Sequence, residues 1–350
     1  MAKYLNQPSR EQIAEIAGIA PADVIRFDHN TSPEHPDWAL PLAAEQTHWL
    51  NEYPGADYMP LRRAAAAFAG LDVDRVVTGA GIDELILMVS QGLLEPGGRA
   101  AAVTPTYPLQ RVATLNRRAN LDELMLAPPD FEPDTDTLLD AARNADLLWL
   151  TVPANPVGNR MADDVIDAAI AATDGVVVID AAYAEIAGDE WTSWVMDHHN
   201  VVVLRTLSKA FNLAGARVGY AMGHPDLIDK LDRVRAPGGI SSLSAALGVA
   251  ALGNLEAMNA TVESLIHSRT TLAEGLSSLG WRVLPSATNF VLCEVGSAAH
   301  AIADATLRQG MIVRSFHSQP LADYLRITAR SPEENAKLLS LLSQGATRLP

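Results

Sequence analysis

The sequence of 350 residues contains one cysteine, Cys293, so no disulfide bond can form within the chain. A single cysteine fits a reducing compartment, and we expect a cytoplasmic protein. Basic residues are also few, with 26 Lys and Arg against 42 Asp and Glu and a formal net charge of −16. This acidic balance argues against nucleic acids and anionic membranes as partners, because their phosphate groups would be repelled.

The sequence also lacks long apolar segments and internal repeats. Its first residues, MAKYLNQPSREQ, have no signal-peptide core, and no stretch reaches membrane-spanning length without charge or proline. The adjacent His198 and His199 have the wrong spacing for a metal site on one helical face, so no metal is expected. With 48% hydrophobic residues, a chain of this length predicts a globular protein of two domains.

The segment 200–222, NVVVLRTLSKAFNLAGARVGYAM, combines an apolar strand with a cluster of polar groups. Its opening run of valines and leucine predicts a strand that is buried on both faces. Thr206, Ser208 and Lys209 follow directly, and Arg217 comes shortly after them. Hydroxyl groups and an arginine can bind a dianion, which leaves the lysine amine free to form a Schiff base with a carbonyl compound such as pyridoxal phosphate (PLP).

The pattern S-K-x-x-x-L-x-G-x-R-x-G at 208–219 resembles the PLP-lysine region of fold type I aminotransferases, and is most similar to that of histidinol-phosphate aminotransferases. The resemblance extends over 30–328. It implies an α/β fold, with a mostly parallel seven-stranded sheet between helices in a large PLP-binding domain, and a smaller α+β domain. It also implies a homodimer with shared active sites. We place an N-terminal arm that joins the small domain at 1–39, the large domain at 40–236 and the small C-terminal domain at 237–350.

A glycine turn lies between a predicted strand at 75–78 and an apolar helical pattern that runs to Leu94. This order of elements presents free backbone N–H groups to a phosphate. The resemblance assigns the cofactor phosphate to the start of this helix and to the polar residues of the lysine segment: Gly81, Ile82, Asp83, Thr206, Ser208 and Arg217.

Asp180 follows the apolar residues 176–179, which predict another buried strand. A carboxylate at the end of such a strand is costly unless a cation meets it. The protonated pyridine nitrogen of PLP is such a cation. We therefore expect Asp180 to hold the ring proton and to strengthen the ring as an electron sink.

The resemblance implies roles for the remaining candidate residues. Lys209 carries the cofactor and moves the α-proton of the substrate. Tyr107 stacks on the cofactor, Asn155 and Tyr183 share its 3-oxygen, Tyr53 reaches the phosphate of the partner subunit, Arg326 binds the substrate carboxylate or phosphate, and Arg314 and Asn30 lie near the substrate. A turn-packing role for Tyr53 and a surface position for Arg314 stay open.

Two departures from the family pattern concern the substrate. The family carries an Asn-Glu-Asn-Pro type sequence where this chain has Asn30 and, at the last position, Pro33. The family often has a second aromatic residue at the position of Gln110, and we expect a more polar or differently shaped substrate pocket there.

Three functions remain open. The first is transfer of an amino group from histidinol phosphate, or from an aromatic or other amino acid, to 2-oxoglutarate. The second is decarboxylation of a phosphorylated amino acid such as threonine phosphate. The third is a catalytically silent PLP-binding protein, which the full set of candidate residues argues against.

Overall fold

A computed structural model describes residues 8–345 of the chain. Its strands are β1 (Ile25–Arg26), β2 (Val76–Gly79), β3 (Arg99–Thr104), β4 (Asn120–Met125), β5 (Leu147–Thr151), β6 (Val176–Asp180), β7 (Val201–Thr206), β8 (Gly219–Gly223), β9 (Arg282–Val283), β10 (Phe290–Glu294), β11 (Met311–Ile312), β12 (Arg314–Ser315) and β13 (Tyr324–Thr328). Its α-helices are α1 (Arg10–Ala17), α2 (Ala39–Gln46), α3 (Met59–Ala69), α4 (Gly81–Leu93), α5 (Pro108–Asn116), α6 (Thr135–Arg143), α7 (Asp163–Ala172), α8 (Ala184–Ala187), α9 (Thr192–Asp197), α10 (Pro225–Val234), α11 (Ser242–Gly253), α12 (Leu255–Ser278), α13 (Ala299–Leu307) and α14 (Pro332–Gly345). Within residues 8–345, no helix combines the length and the apolar composition that crossing a bilayer requires.

Seven strands form the large sheet, in the order β2-β8-β7-β6-β5-β3-β4. The strands β3 to β7 pair in parallel, and β8 is antiparallel to both of its neighbours. Side chains alternate between two cores on opposite faces: Leu148 and Leu150 enter one core, and Leu147 and Trp149 enter the other. Because both faces are covered, the central strands are apolar throughout. The predicted mostly parallel seven-stranded sheet is confirmed.

Two strands differ from the sequence expectations. The edge strand β4 is largely exposed, and its polar side chains give no signal of a buried strand. The apolar run 311–313 followed by Arg314 would predict a single strand, but the segment is divided at Val313 into β11, which pairs with β1, and β12, which pairs with β13. The division lets one short segment join two different sheets.

A second sheet, of four antiparallel strands in the order β12-β13-β10-β9, lies in the C-terminal part of the chain. Its core includes Leu272 of α12, Leu338 of α14 and Phe27 of the N-terminal segment. Phe27 joins this sheet through its backbone, since its N–H donates to the Ile312 carbonyl at 2.9 Å and its carbonyl accepts from the N–H of Thr328 at 2.8 Å. The N-terminal segment therefore packs with the C-terminal sheet.

We propose that the chain consists of an arm, a large domain and a small domain. The packing changes one expected boundary, the one between the large and the small domain. The arm at 1–39 pairs through β1 with β11 and through the carbonyl of Phe27 with Thr328 of the small sheet, although its residues 1–7, like 346–350 of the small domain, lie outside the described part. Helix α11, expected to begin the small domain after 237, instead buries Leu247 and Ala251 in a core of the large sheet. The boundary fits the packing better near Asn254, where α12 begins.

Candidate active site

The candidate residues gather where the parallel strands of the large sheet end. Asp180 is the last residue of β6, Thr206 is the last residue of β7, and Lys209 follows three residues later. Gly81 is the first residue of α4 and lies two positions after the last residue of β2. The carboxyl ends of adjacent parallel strands form a crevice, which is the usual ligand site of such sheets.

Lys209 lies partly buried between the sheet and the N-terminal arm. Its Nζ donates a hydrogen bond to the backbone carbonyl of Asn30 at 2.8 Å and lies 5.6 Å from the centre of the Tyr183 ring. Burial, together with the positive charges of Arg326 and Arg217, lowers the pKa of Lys209 to about 7. A substantial fraction of this amine is therefore neutral near pH 7, as a nucleophile or base requires.

Asp180 is 3% exposed. Burial raises the pKa of its carboxyl to about 7, while hydrogen bonds from the Ala182 N–H and from Gln110 act in the opposite direction. The Ala182 N–H lies 3.3 Å from Oδ1, and Nε2 of Gln110 lies 3.2 Å from Oδ2. A bound cation at this position would favour the charged carboxylate.

A candidate anion site lies at the N-terminus of α4. Nη2 of Arg217 contacts Oδ2 of Asp83 at 2.8 Å, and its Nη1 lies 3.5 Å from Oγ of Ser208. The Thr206 hydroxyl donates to Oγ of Ser208 at 2.9 Å. A Cβ atom at Gly81, where φ is +74°, would lie 2.7 Å from Nη2 of Arg217, so only glycine leaves this space open. Ile82 packs behind this turn, against the large-sheet core.

These groups fit PLP. Backbone N–H groups at the start of a helix, two hydroxyls and a guanidinium suit its phosphate. The buried carboxylate of Asp180 suits its ring nitrogen, and the neutral amine of Lys209 suits its aldehyde. Tyr107 donates its hydroxyl to Oδ1 of Asp83 at 3.0 Å, which places the tyrosine beside the same anion site.

Asn155, Tyr183 and Arg326 lie on the side of the site that faces the arm. Nη1 of Arg326 donates to Oδ1 of Asn155 at 2.6 Å, and Nδ2 of Asn30 donates to the Tyr183 hydroxyl at 2.9 Å. Burial raises the pKa of Tyr183 to about 12, so its hydroxyl keeps its proton at neutral pH. The expected shared contact of Asn155 and Tyr183 with the cofactor 3-oxygen stays a prediction.

Arg314 and Arg326 are opposite each other in the antiparallel pair of β12 and β13. Directly opposite residues project from the same face of a sheet. Both arginines are partly exposed, and the guanidinium of Arg314 lies 5.7 Å from the ring centre of Phe316. The two arginines thus belong to one face of the small sheet.

Tyr53 lies apart from these groups in the surface segment between α2 and α3 and is 94% exposed. A role in the active site of a partner subunit stays a prediction.

Two residues make contacts at the site that the sequence did not predict. Gln110 was expected in the substrate pocket, but the first turn of α5 places its amide against Asp180 and Thr151 instead. Thr328 was not singled out, although its hydroxyl donates to Oδ1 of Asn30 and accepts from the Asn30 N–H, both at 3.0 Å. Its position two residues after Arg326 could have identified it as a site candidate, because alternate residues of a strand share a face.

Comparisons with known proteins identify the family of the chain. The model of the family "Aminotransferase class I and II" matches residues 22–342. A histidinol-phosphate aminotransferase of Roseiflexus castenholzii is 33% identical over 96% of this chain and 93% of its own length. A histidinol-phosphate aminotransferase of Methanothermobacter thermautotrophicus is 31% identical over 97% and 94%.

Solved structures share the fold over nearly the whole chain. The histidinol-phosphate aminotransferase of Sinorhizobium meliloti, solved with pyridoxal 5'-phosphate, has a TM-score of 0.90 and 26% identity, covering 99% of this chain and 96% of that one. An L-threonine-O-3-phosphate decarboxylase of Porphyromonas gingivalis, at 20% identity and a TM-score of 0.81 over 93% and 100%, shares the fold alone. The chain therefore belongs to the class I and II aminotransferase family and is a PLP-dependent aminotransferase of fold type I.

Proposed function

We propose that this aminotransferase takes its amino group from histidinol phosphate, or from a closely similar phosphorylated amine, and passes it to 2-oxoglutarate. The observation that carries the proposal is the pairing of Arg314 with Arg326 on one face of the small sheet. Two guanidinium groups suit a phosphate dianion or a dicarboxylate better than an apolar side chain. The names of the curated relatives agree with this substrate.

The site residues have the following proposed roles. The cofactor phosphate is held by Gly81, Ile82, Asp83, Thr206, Ser208 and Arg217, with Tyr107 against the ring, Asn155 and Tyr183 at the 3-oxygen and Asp180 at the ring nitrogen. On the substrate side, Arg326 binds an anionic group and Arg314 and Asn30 line the pocket. The contacts of these residues at the strand ends and in the arm support their roles, and Arg314 is included because it lies opposite Arg326 in the small sheet.

When bound, PLP supplies an electron sink for the carbon that loses its proton. Nζ of Lys209 then acts as the base that takes the α-proton and as the acid that returns it. Its lowered pKa keeps the amine competent for both transfers near pH 7. The carboxylate of Asp180 would hold the ring-nitrogen proton, and the arm residue Asn30 orients Tyr183 and covers Lys209.

The enzyme is proposed to act as a homodimer with shared active sites, in the cytoplasm, where its single, buried cysteine stays reduced. Four large apolar or aromatic residues with exposed side chains lie within 40–53: Leu40, Trp49, Leu50 and Tyr53. Such a patch favours burial against a second copy of the chain. Sedimentation of the purified holoenzyme as a monomer at micromolar concentration would contradict the dimer.

A donor panel tests the reaction. The holoenzyme is incubated with 2-oxoglutarate and histidinol phosphate, histidinol, threonine phosphate, or an aromatic amino acid, and glutamate and carbon dioxide are measured. Glutamate formed mainly from histidinol phosphate, with a much poorer rate from histidinol, supports the proposal. Glutamate formed equally well from histidinol excludes a phosphate site, and carbon dioxide from threonine phosphate without glutamate indicates the decarboxylase.

A further inference from the structure

Gln110 is a buried amide, 1% exposed, at the start of α5. Its Nε2 donates one hydrogen to Oδ2 of Asp180 at 3.2 Å and the other to Oγ1 of Thr151 at 3.0 Å. Its Oε1 accepts from the Thr106 hydroxyl at 3.2 Å, and the two threonine hydroxyls lie 2.7 Å apart. Both N–H groups and the oxygen of the amide therefore take part in hydrogen bonds.

This network fixes which end of the amide faces Asp180. Rotating the amide of Gln110 by half a turn would place Oε1 against a carboxylate oxygen, where two acceptors repel each other. The sheet register contributes as well, because Thr151 and Asp180 are partners in the parallel pair of β5 and β6. The N–H of Gln110 is thus held against the carboxylate by the ends of three neighbouring strands.

Few other groups stabilise the charged form of Asp180. The charged groups that face it are Lys209 after β7, which favours the carboxylate, and Asp83 on α4, which opposes it. Tyr183 faces it as a neutral hydroxyl below a pKa of about 12. The remaining donor is the Ala182 N–H. Because an amide does not titrate, Gln110 supplies its hydrogen bond at every pH.

We propose that Gln110 is a positioning residue for Asp180, which fixes the orientation of the carboxylate and supports its charge when the cofactor ring is bound. The inference rests on the proposed contact of Asp180 with the ring nitrogen. It replaces the expectation that Gln110 shapes the substrate pocket. Thr106 and Thr151 act on Asp180 indirectly, since they orient the amide of Gln110.

The test compares holoenzymes of Gln110→Met and Thr114→Val. Methionine keeps the length and unbranched shape of glutamine but has no N–H donor. Thr114 lies one turn further along α5, is fully buried and accepts from Nε1 of Trp149 at 3.1 Å, so Thr114→Val removes a buried hydrogen bond that does not involve the carboxylate. Both variants are expected to lower the melting temperature slightly, and this common loss measures the structural cost alone.

Only Gln110→Met should alter the binding of the cofactor. We expect its apparent dissociation constant for PLP, measured from the visible absorbance band on dilution, to rise about tenfold, the equivalent of about 1.4 kcal/mol. The midpoint of the pH titration of this absorbance band should also move to a higher pH. The reason is that a less positive ring lets the lysine–cofactor linkage keep its proton to a higher pH. Equal dissociation constants and equal midpoints in the two variants would overturn the proposal.

Gln110→Glu provides a second measurement if the methionine variant does not fold. A protonated glutamic acid donates to Asp180 as the amide does, whereas an ionised one cannot donate. Cofactor retention by this variant should therefore match the unaltered enzyme at low pH and fall as the pH rises. Retention that improves with rising pH would show that added negative charge, not a donor, is what Asp180 needs. If the unaltered protein itself has no visible band, the PLP role of Lys209 fails, which is a separate result from a failure of Gln110.

Discussion

The cofactor end and the substrate end of the site are built in different ways. The cofactor end lies on consecutive strand ends of the large sheet, with Asp180, Thr206 and Lys209 close together along the chain. The substrate end joins segments that are 298 positions apart, as in the hydrogen bonds of Asn30 with Thr328 and of Asp28 with Arg326. Asp180, Thr206 and Lys209 of the cofactor end are therefore close in sequence, although its Arg217–Asp83 pair joins segments 134 positions apart, whereas the substrate end depends on the docking of the arm.

Charge also differs between the two ends. At the cofactor end, Arg217 is paired with Asp83, so a phosphate would meet donors whose charge is partly balanced. At the substrate end, Arg314 and Arg326 are register partners on one face of the small sheet, so two positive charges lie side by side. With the proposed roles, this comparison assigns the reaction chemistry to the large sheet and the choice of substrate to the arm and the small sheet, and the following predictions test that assignment.

The strongest test removes the amine at the cofactor end. Lys209→Ala should lower turnover by about 10⁴-fold or more and abolish the visible absorbance band, because both the linkage and the base are lost. Lys230→Ala, at an exposed position of α10, is the control and should keep both. A lysine-free site that retained the band and full activity would disprove the assignment of Lys209.

Asp180→Asn should lower turnover by about 10²- to 10³-fold while the protein stays folded, because a neutral amide cannot compensate the charge of a protonated ring. Asp189→Asn serves as its control. That carboxylate is buried in a pair with Arg160 at 2.6 Å, outside the site, so its loss should affect stability more than turnover. Near-normal turnover of Asp180→Asn would remove it from the cofactor end.

Acid should slow the capture of the cofactor. The pKa of Lys209 is lowered to about 7, so the reactive neutral amine predominates above pH 7 and is lost as the pH falls through that value. We expect the rate at which cofactor-free protein forms the visible band to fall roughly 50-fold from pH 7 to pH 5 and to level off above pH 8. A rate that still climbs towards pH 10 would indicate an ordinary, solvated lysine.

The substrate end should respond in affinity and not in cofactor binding. Arg326→Gln should raise KM for the phosphorylated donor so that kcat/KM falls about 10- to 100-fold, with the visible band unchanged, because a charge-assisted contact is lost. Arg282→Gln, on β9 of the same sheet, removes a surface arginine that pairs with Asp130 and Glu294 and should change neither quantity. Loss of the band in Arg326→Gln would place that arginine at the cofactor end.

The cofactor end could be predicted because buried parallel strands leave a clear apolar signal and their polar ends stand out. Asp180 and Lys209 were identified as polar residues that follow apolar runs, and both lie at the strand ends. The contact of Gln110 with Asp180 was not predicted, because it depends on the order of β3, β5 and β6 in the sheet. That order is a long-range property, which no local pattern contains.

The amino-acid sequence by itself predicted the buried strands that lead to Gly81, Asp180 and Lys209 and singled out these residues as site candidates, since each prediction depends on side chains that are close along the chain. Only the tertiary structure decided that α11 packs on the large sheet, that Arg314 faces Arg326, and that Thr328 holds Asn30 over Lys209. The physical reason is that these contacts join segments far apart in sequence. Their geometry is set by packing of whole elements, which a periodic pattern of apolar residues does not specify.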